Sequence, residues 1–286
     1  MFEPPEDYDN SRISTYADCP MQYHNKYNLG LAEDNGQRSL NSRFSTHMIH
    51  DPITEWYFRG LDWDPGDQGW EERMAKCLVT DEEKLVKANA VYCVDSAKRC
   101  FSHHKQQFGS DFERFTVLGA ENYIVDKAMR FGSKPDVRVQ DKETGELFTI
   151  EIKFSGWDFI LEAANINPQF LGQVNNTKGT GFIVTLIQPV GTKWQNFTAI
   201  RQEIEPKPEE METWRREKLF QIEQIEASYR ANVWPKNTPH ACTNFGGCFF
   251  VQLCAAGHPE GMLARMPKKG DPLDYLKGGF SADQPD

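Results

Sequence analysis

One stretch of the chain, residues 131–155 (FGSKPDVRVQDKETGELFTIEIKFS), constrains the fold most, because it predicts two paired β-strands. Two runs of alternating residues flank a short polar loop that contains Gly145, which is the pattern of a β-hairpin. Residues two apart on a strand point to the same face, so Glu151 and Lys153 share a face. Pairing across the loop brings Asp136 close to Glu151. The hairpin therefore predicts two carboxylates and one ammonium at one place.

These three side chains suit phosphodiester hydrolysis with Mg²⁺ or Mn²⁺. Hard divalent cations take oxygen ligands, and one or two carboxylates together with substrate phosphate are a common set. Such an ion acidifies a water and neutralises charge on the phosphate, while a nearby lysine positions the water and stabilises the developing anion. The pattern Glu-x-Lys also occurs by chance as a solvated charge pair, so its interpretation depends on the surrounding chain.

Pro135-Asp136, followed by Glu151-Ile152-Lys153, resembles the signature of the PD-(D/E)xK nuclease superfamily. The resemblance implies an α/β fold whose restriction-endonuclease-like core is a mixed central sheet flanked by helices. It implies that Asp136 and Glu151 bind the metal, that the carbonyl of Ile152 assists, and that Lys153 serves the attacking water. The implied activity is that of a metal-dependent deoxyribonuclease, an exonuclease acting on free ends or single strands.

Further site residues follow from the same resemblance. A helical histidine, His50, is expected over the metal site, and Glu121, on the strand before the Asp136 strand, is a second-tier candidate. Gln169 falls in the first turn of a later helix, where the family carries a glutamine followed four residues on by tyrosine; here the tyrosine position is Gln173. For His50 and Glu121 the alternative of ordinary packing or solvent exposure stays open.

The chain has seven cysteines, an odd number, and its first residues lack the features of a secretory signal. This pattern argues against a disulfide framework and for a reducing, cytoplasmic compartment. Cys242, Cys248 and Cys254 lie close together, and with Cys19 they make four thiolates for a [4Fe–4S] cluster.

The segment around Cys19-Pro20 resembles the start of RecB-like, AddB-like and CRISPR-associated exonucleases, in which this cysteine is a cluster ligand. The chain departs from that pattern between Cys242 and Cys248, which five residues separate where the family typically has two.

A zinc site is the alternative for the same cysteines. Cys242, Cys248, Cys254 and His258 fit a Cys₃His zinc site, similar to a CCCH zinc finger that binds RNA. The protein would then be a nucleic-acid-binding protein without catalysis. The iron–sulfur interpretation is favoured because it alone uses Cys19.

The motifs predict a single nuclease domain over residues 1–264. Within it we expect a helical insertion at about 44–110, a catalytic core at about 115–190, and a C-terminal helix with the cysteine cluster at about 206–258. Residues 265–286 are rich in glycine, proline and aspartate and are predicted to be a flexible tail.

The insertion is expected to contain a helix that starts at the capping box of residues 80–83 and runs to about Gln107. His103 and His104 lie in a polar part of this helix and are predicted to be solvated. The segment Thr116 to Asp126, which contains Glu121, is predicted to be a strand.

The net charge of −10 counts against a broadly basic nucleic-acid surface, although a metal-loaded cleft with local Lys and Arg can bind phosphate. No apolar run approaches the length of a membrane span. The expected partners are DNA and, by resemblance, proteins of a recombination or CRISPR-adaptation complex.

Overall fold

The computed structural model describes residues 2–31, 40–78, 93–155, 159–190, 196–237, 240–243, 248 and 250–256. The chain forms two compact units. The first consists of Met1–Gln37, Val125–Ser133 and Lys207–Tyr275, and the second of Arg38–Ile124, Lys134–Pro206 and Leu276–Asp286. Among the described helices, none combines the length and the apolar character needed to cross a membrane. The capping box of residues 80–83, His258 and residues 265–286 lie outside the described residues, and the boundaries of a single domain over residues 1–264 stay a prediction.

The helices differ widely in length, from the four residues of Pro20–Tyr23 to the 24 residues of Pro208–Ala231. The described α-helices are α1 Asn10–Asp18, α2 Pro20–Tyr23, α3 Leu40–Phe44, α4 Asp51–Arg59, α5 Gly66–Cys77, α6 Val94–Phe108, α7 Asp111–Arg114, α8 Phe159–Glu162, α9 Pro168–Thr177, α10 Pro208–Ala231, α11 His240–Thr243 and α12 Val251–Ala256. Two π-helical turns, His24–Asn28 and Ser45–His50, and a 3₁₀ turn, Ala164–Ile166, complete the helical structure of the described ranges.

The strands form two sheets. The described strands are β1 Tyr8–Asp9, β2 Phe115–Ala120, β3 Ile124–Asp126, β4 Phe131–Ser133, β5 Val137–Asp141, β6 Leu147–Phe154, β7 Gly181–Val190 and β8 Asn196–Ile204. The larger sheet has the order β2-β5-β6-β7-β8, and β6 pairs with β7 in parallel while its other pairs are antiparallel. A mixed sheet flanked by helices is therefore confirmed, and β5 and β6 form the predicted hairpin.

Alternation along β5 and β6 divides this sheet into two faces. Ile150 and Ile152 join Val137 and Val139 in the main hydrophobic core, where they pack with helices of the insertion. Glu151 and Lys153 lie between these core residues in sequence and so project from the opposite face. On that face α9 packs against the sheet, with the Phe170 ring 5.3 Å from that of Phe182.

The helix that carries His50 is shaped by a proline. Sequence alone suggests that Pro52 interrupts the helix, since proline has no N–H to donate. In the structure Pro52 falls in the first turn of α4, directly after the π-helical turn Ser45–His50. The N–H of Asp51 donates to the carbonyl of Thr46, five residues earlier, so the hydrogen-bond register has already shifted before the proline. His50 is the last residue of the π-helical turn.

A buried ionic network ties the insertion to the sheet. Arg201 of β8 donates to both carboxylate oxygens of Asp111 at 2.8 Å, to the Tyr57 hydroxyl at 2.9 Å and to the Thr185 hydroxyl at 2.9 Å. Tyr57 in turn donates to Asp111 at 2.5 Å. Because every charge here is paired, removal of one partner leaves a buried charge without compensation.

The first unit has its own small sheet and aromatic core. Its strands pair in the order β1-β4-β3, and the ion pair Arg130–Glu226 lies beside them. The Tyr23 ring stacks on that of Trp234 at 5.8 Å and meets Tyr229 edge to face at 6.3 Å. These rings pack the N-terminal helices against the segment that follows α10.

His104 is buried, although the sequence predicted it to be solvated. Only 1% of its surface is exposed, and within the described residues neither ring nitrogen has a hydrogen-bond partner. Its ring meets Trp56 edge to face at 5.5 Å. The reason is helical spacing, since His104 shares one face of α6 with the buried Phe101 and Phe108. Burial, together with the nearby charges of Arg201 and His103, lowers the pKa of His104 well below its usual value.

The buried imidazole predicts an acid-sensitive step in stability. Below about pH 6.5 the unfolded chain binds a proton on His104 that the folded chain refuses, so the free energy of unfolding falls as pH falls. We expect His104→Gln to reduce this slope by up to about 1.4 kcal/mol per pH unit. Urea unfolding of both proteins from pH 5 to 8 measures it. The difference between the two proteins should be constant above about pH 7.5, and a difference that stays constant to pH 5 would contradict the interpretation.

Candidate functional site

Three acidic residues lie next to one another across the sheet: Glu121 directly follows β2, Asp136 directly precedes β5, and Glu151 lies within β6. Ala120 pairs with Val137, and one step further the N–H of Glu121 donates to the carbonyl of Asp136 at 3.0 Å. Val137 pairs with Ile150, so Asp136 lies beside Glu151. Neighbouring strands are about 4.8 Å apart, and the register therefore sets the three acidic residues in a row across the sheet.

His50 closes one side of this row. Its Nε2 lies 3.0 Å from Asp136 Oδ1 and 3.7 Å from Glu121 Oε1. Ligand atoms of all three residues lie within 4.8 Å of one another, an arrangement that can hold a metal ion. The other ring nitrogen of His50 lies 3.4 Å from Asp51 Oδ1, a carboxylate that orients the imidazole as in many metal sites.

The backbone of β6 orients Asp136. Asp136 Oδ2 accepts the N–H of Ile152 at 2.7 Å, which leaves Oδ1 facing His50. Ile152 thus serves the site through its N–H, and the role expected for its carbonyl stays a prediction.

The carboxylate of Glu151 accepts hydrogen bonds from three side chains. Its Oε1 accepts from Lys153 at 2.5 Å and from Gln169 at 2.7 Å, and its Oε2 accepts from Gln173 at 2.7 Å. Only 1% of its surface is exposed. The metal-type cluster found among the described residues contains Glu121 but not Glu151, whose carboxylate is turned towards these donors.

Gln173 was not chosen as a site residue from the sequence, although the signal was present. Gln169 and Gln173 are four residues apart on α9 and therefore lie on one face of the helix. Both amides reach the same carboxylate, one at each oxygen. The second amide thus occupies the place where the family resemblance expects tyrosine.

Burial and mutual repulsion govern the titration of the carboxylates. Burial raises the pKa of Glu121 and that of Glu151, and the negative charge of Asp136 raises both further. Burial also raises the pKa of Asp136, but His50 and Lys153 outweigh it and the net direction is downward. The three carboxylates are therefore close enough to influence one another's titration.

The two basic residues respond in the opposite sense. Burial lowers the pKa of His50, yet Asp136, Asp51 and Glu121 raise it more, so the imidazole is held protonated. For Lys153 burial again lowers the pKa, but the charges of Glu151 and Asp136 prevail and raise it. The His50 imidazolium thus offsets part of the negative charge of Asp136 and Glu121.

The donor set fits Mg²⁺ or Mn²⁺. Carboxylate oxygens suit both ions, and an imidazole is acceptable to Mn²⁺. Burial and the negative charge of Asp136 raise the pKa of Glu121, and a divalent cation bound by both carboxylates would relieve the repulsion between them. A metal ion that binds the His50 nitrogen must displace the proton there, and the affinity for the metal therefore depends on pH.

Glu121 adopts a left-handed backbone conformation, with φ 56°. Residues other than glycine adopt it rarely, and such conformations at functional sites cost about 1–3 kcal/mol each. The predicted strand Thr116 to Asp126 is consequently broken, with β2 ending at Ala120 and β3 beginning at Ile124. The break turns the carboxylate towards His50 and into an ion pair with Lys134.

The four cysteines proposed as ligands lie together within the first unit. Cys19, Cys242 and Cys254 each contribute to the electrostatic environment of Cys248, where burial and these neighbours raise the pKa of the thiol. Cys19 Sγ accepts the N–H of Asn237 at 3.5 Å.

Cys254 has a similar environment. Its Sγ accepts from the side chain of Asn25 at 4.0 Å, and burial is the main cause that raises the pKa of its thiol. Tertiary packing thus brings Cys19 to three cysteines that lie far along the chain.

Comparison with known proteins shows a shared fold. No protein-family model matches this sequence, and no curated protein matches it. A solved structure from Eubacterium rectale, described as a "putative exonuclease", aligns with a TM-score of 0.50 and 12% identity over 96% of this chain and 94% of that chain. An alkaline exonuclease from Laribacter hongkongensis aligns with a TM-score of 0.31 and 17% identity over 67% of this chain and 97% of that one, a likeness too low to carry an argument. At these identities the first match shows the fold alone.

Because the backbone of Glu121 is strained, substitutions of this residue should change stability and metal binding differently. Glu121→Gly and Glu121→Ala both remove the carboxylate, but only glycine adopts positive φ freely. We expect the glycine variant to be more stable than the alanine variant by about 1 kcal/mol without metal. Both should lose most of the rise in melting temperature that Mn²⁺ gives the wild type. Thermal unfolding with and without Mn²⁺ measures both effects, and an undiminished rise in either variant would remove Glu121 from the metal site.

Proposed function

We propose that this chain is a Mg²⁺- or Mn²⁺-dependent deoxyribonuclease of the PD-(D/E)xK type, with a restriction-endonuclease-like core. The observation that carries the proposal is the juxtaposition of two groups on the second unit. His50, Glu121 and Asp136 form the metal-type cluster, and Glu151 lies with Lys153 on the adjacent strand.

The role proposed for each group follows from its charge. A Mg²⁺ or Mn²⁺ ion bound by His50, Glu121 and Asp136 would lower the pKa of a water and neutralise charge on the scissile phosphate. Lys153, with its raised pKa, remains an ammonium at neutral pH. It therefore positions the attacking water and stabilises the anion that forms, and does not act as the base.

Glu151 has its place set by other side chains. Gln169 and Gln173 hold its two oxygens, so the carboxylate is oriented before substrate arrives. Glu151 in turn positions the Lys153 ammonium through the 2.5 Å hydrogen bond between them. By the family resemblance, Glu151 would join Asp136 among the residues that bind the metal.

The substrate proposed is DNA with free ends or in single strands. The fold shared with a "putative exonuclease" supports this mode. By the resemblance of the motifs, the process would be recombination, repair or CRISPR-adaptation-type trimming, with protein partners of such a complex, in the cytoplasm.

Catalysis is tested by removing the ammonium and the central carboxylate. Lys153→Ala and Asp136→Asn should each lower Mn²⁺-dependent cleavage of end-labelled single-stranded DNA by about a hundredfold or more. Lys142→Ala, which removes a lysine at the far end of the same hairpin, is the matched control and should cleave normally. Circular dichroism checks that each variant is folded. Cleavage at the wild-type rate by Asp136→Asn would refute the proposed site.

We propose that Cys19, Cys242, Cys248 and Cys254 hold a [4Fe–4S] cluster. The electrostatic proximity of the four thiols supports this, as does the N–H donated to the Cys19 sulfur, because cluster sulfurs commonly accept such bonds. Burial raises the pKa of Cys248 and that of Cys254, so a metal that binds these two thiols would displace their protons. The cluster would be structural, since hydrolysis needs no redox step.

The cluster and the alternative zinc site predict opposite results. Protein purified without oxygen should be brown, with about four irons per chain, and Cys19→Ser should lose iron as fully as Cys248→Ser. Cys93→Ser is the control, a cysteine of the second unit that should keep the iron. Colourless protein with about one zinc per chain, indifferent to Cys19→Ser and sensitive to His258→Ala, would establish the zinc site instead.

A further inference from the structure

Arg138 lies on the face of the sheet that carries the acidic row. It follows Asp136 by two positions along β5, so both side chains project from the same face about 7 Å apart. Its partner on the neighbouring strand β2 is Gly119, next to the point where the register of β2 and β5 shifts. A nucleic-acid strand bound at Asp136 would therefore pass close to Arg138.

The guanidinium lies over Gly119. A Cβ atom at this position would come within 3.1 Å of Arg138 Nη2 and 3.3 Å of Asn122 Nδ2. The absence of a side chain at residue 119 thus leaves the space that the head of Arg138 occupies. The backbone of Gly119 therefore lies directly next to the Arg138 guanidinium.

Arg138 has no counter-charge within the described ranges. Its Nε is buried without a hydrogen-bond partner, and no ion pair with a described carboxylate is formed.

Two other arginines of the second unit form ion pairs with carboxylates. Arg201 is paired with Asp111, and Arg114 is paired with Asp141 and Glu203. A half-buried guanidinium without a partner is costly unless a ligand completes it, and its fork of donors matches phosphate oxygens.

We propose that Arg138 binds a backbone phosphate of the nucleic-acid strand, next to the phosphate held at His50, Glu121 and Asp136. This inference rests on the proposed function. It names a second phosphate contact and makes Arg138 a substrate-binding residue with no part in proton transfer. The contact is independent of base identity, since phosphates carry no sequence information.

The test combines a protein change with a DNA change. Binding of fluorescein-labelled single-stranded DNA is measured by anisotropy in Ca²⁺, for wild type and Arg138→Ala, with one phosphate at a time replaced by a neutral methylphosphonate. Arg138→Ala should weaken binding about tenfold and lower the salt dependence by about 0.7 in log–log slope. At one methylphosphonate position the wild type should lose affinity while Arg138→Ala loses none, which is the coupling expected of direct contact.

Two further variants control for charge and position. Arg59→Ala removes the same charge from the end of α4, where Arg59 pairs with Glu55, and should show no position-specific coupling. Gly119→Ala should weaken binding by displacing the guanidinium, and should add nothing in the Arg138→Ala background. Thermal unfolding shows whether each variant is folded. The methylphosphonate series measured with the wild type identifies the contacted phosphate even if a variant does not fold.

The outcomes separate this inference from the proposed function. If the wild type cleaves DNA and Asp136→Asn does not, yet Arg138→Ala couples to no phosphate, only the role of Arg138 is overturned. If Arg138→Ala and Arg59→Ala lose DNA affinity equally, Arg138 contributes only as general surface charge, and its specific phosphate contact is likewise overturned. If the wild type neither binds nor cleaves DNA, the proposed function falls, and the phosphate contact falls with it.

Discussion

The site depends on the burial of one carboxylate, that of Glu151, in the middle of a core strand. Burying an ionised carboxylate is costly unless hydrogen bonds and opposite charge compensate for it. The compensation comes from Lys153 on the same strand and from Gln169 and Gln173 on α9. Because α9 lies in the crossover between the parallel strands β6 and β7, this crossover places Gln169 and Gln173 against the carboxylate.

Charge in the second unit is balanced in two different ways. Around Arg201 the guanidinium, the Asp111 carboxylate and the Tyr57 hydroxyl are hydrogen-bonded to one another, and this network joins the insertion to the sheet. Around Asp136 three carboxylates lie close together, and burial, together with the charge of Asp136, raises the pKa of Glu121 and that of Glu151. The first arrangement is complete without a ligand, whereas the second offers ligand atoms that can hold a metal ion, and this difference distinguishes a structural ion cluster from a candidate active site.

Three departures from regular geometry lie near the same acids. A π-helical turn ends at His50, Glu121 has a positive φ, and the register of β2 shifts beside Gly119. Local rules are commonly broken at functional sites, where the surrounding fold compensates for the cost.

The sequence by itself determined the hairpin, the faces of its strands and the pair Glu151 and Lys153, because alternation on a strand is a local property with period two. It also determined Gln169, since Asn167 and Pro168 mark the helix start, and Asn167 accepts the N–H of Gln169. Only tertiary structure decided that Glu121 joins His50 and Asp136, because that contact requires strand register and a left-handed residue that no local pattern announces. Packing likewise decided that His104 is buried, since the apolar face of α6 outweighed its polar neighbours in sequence.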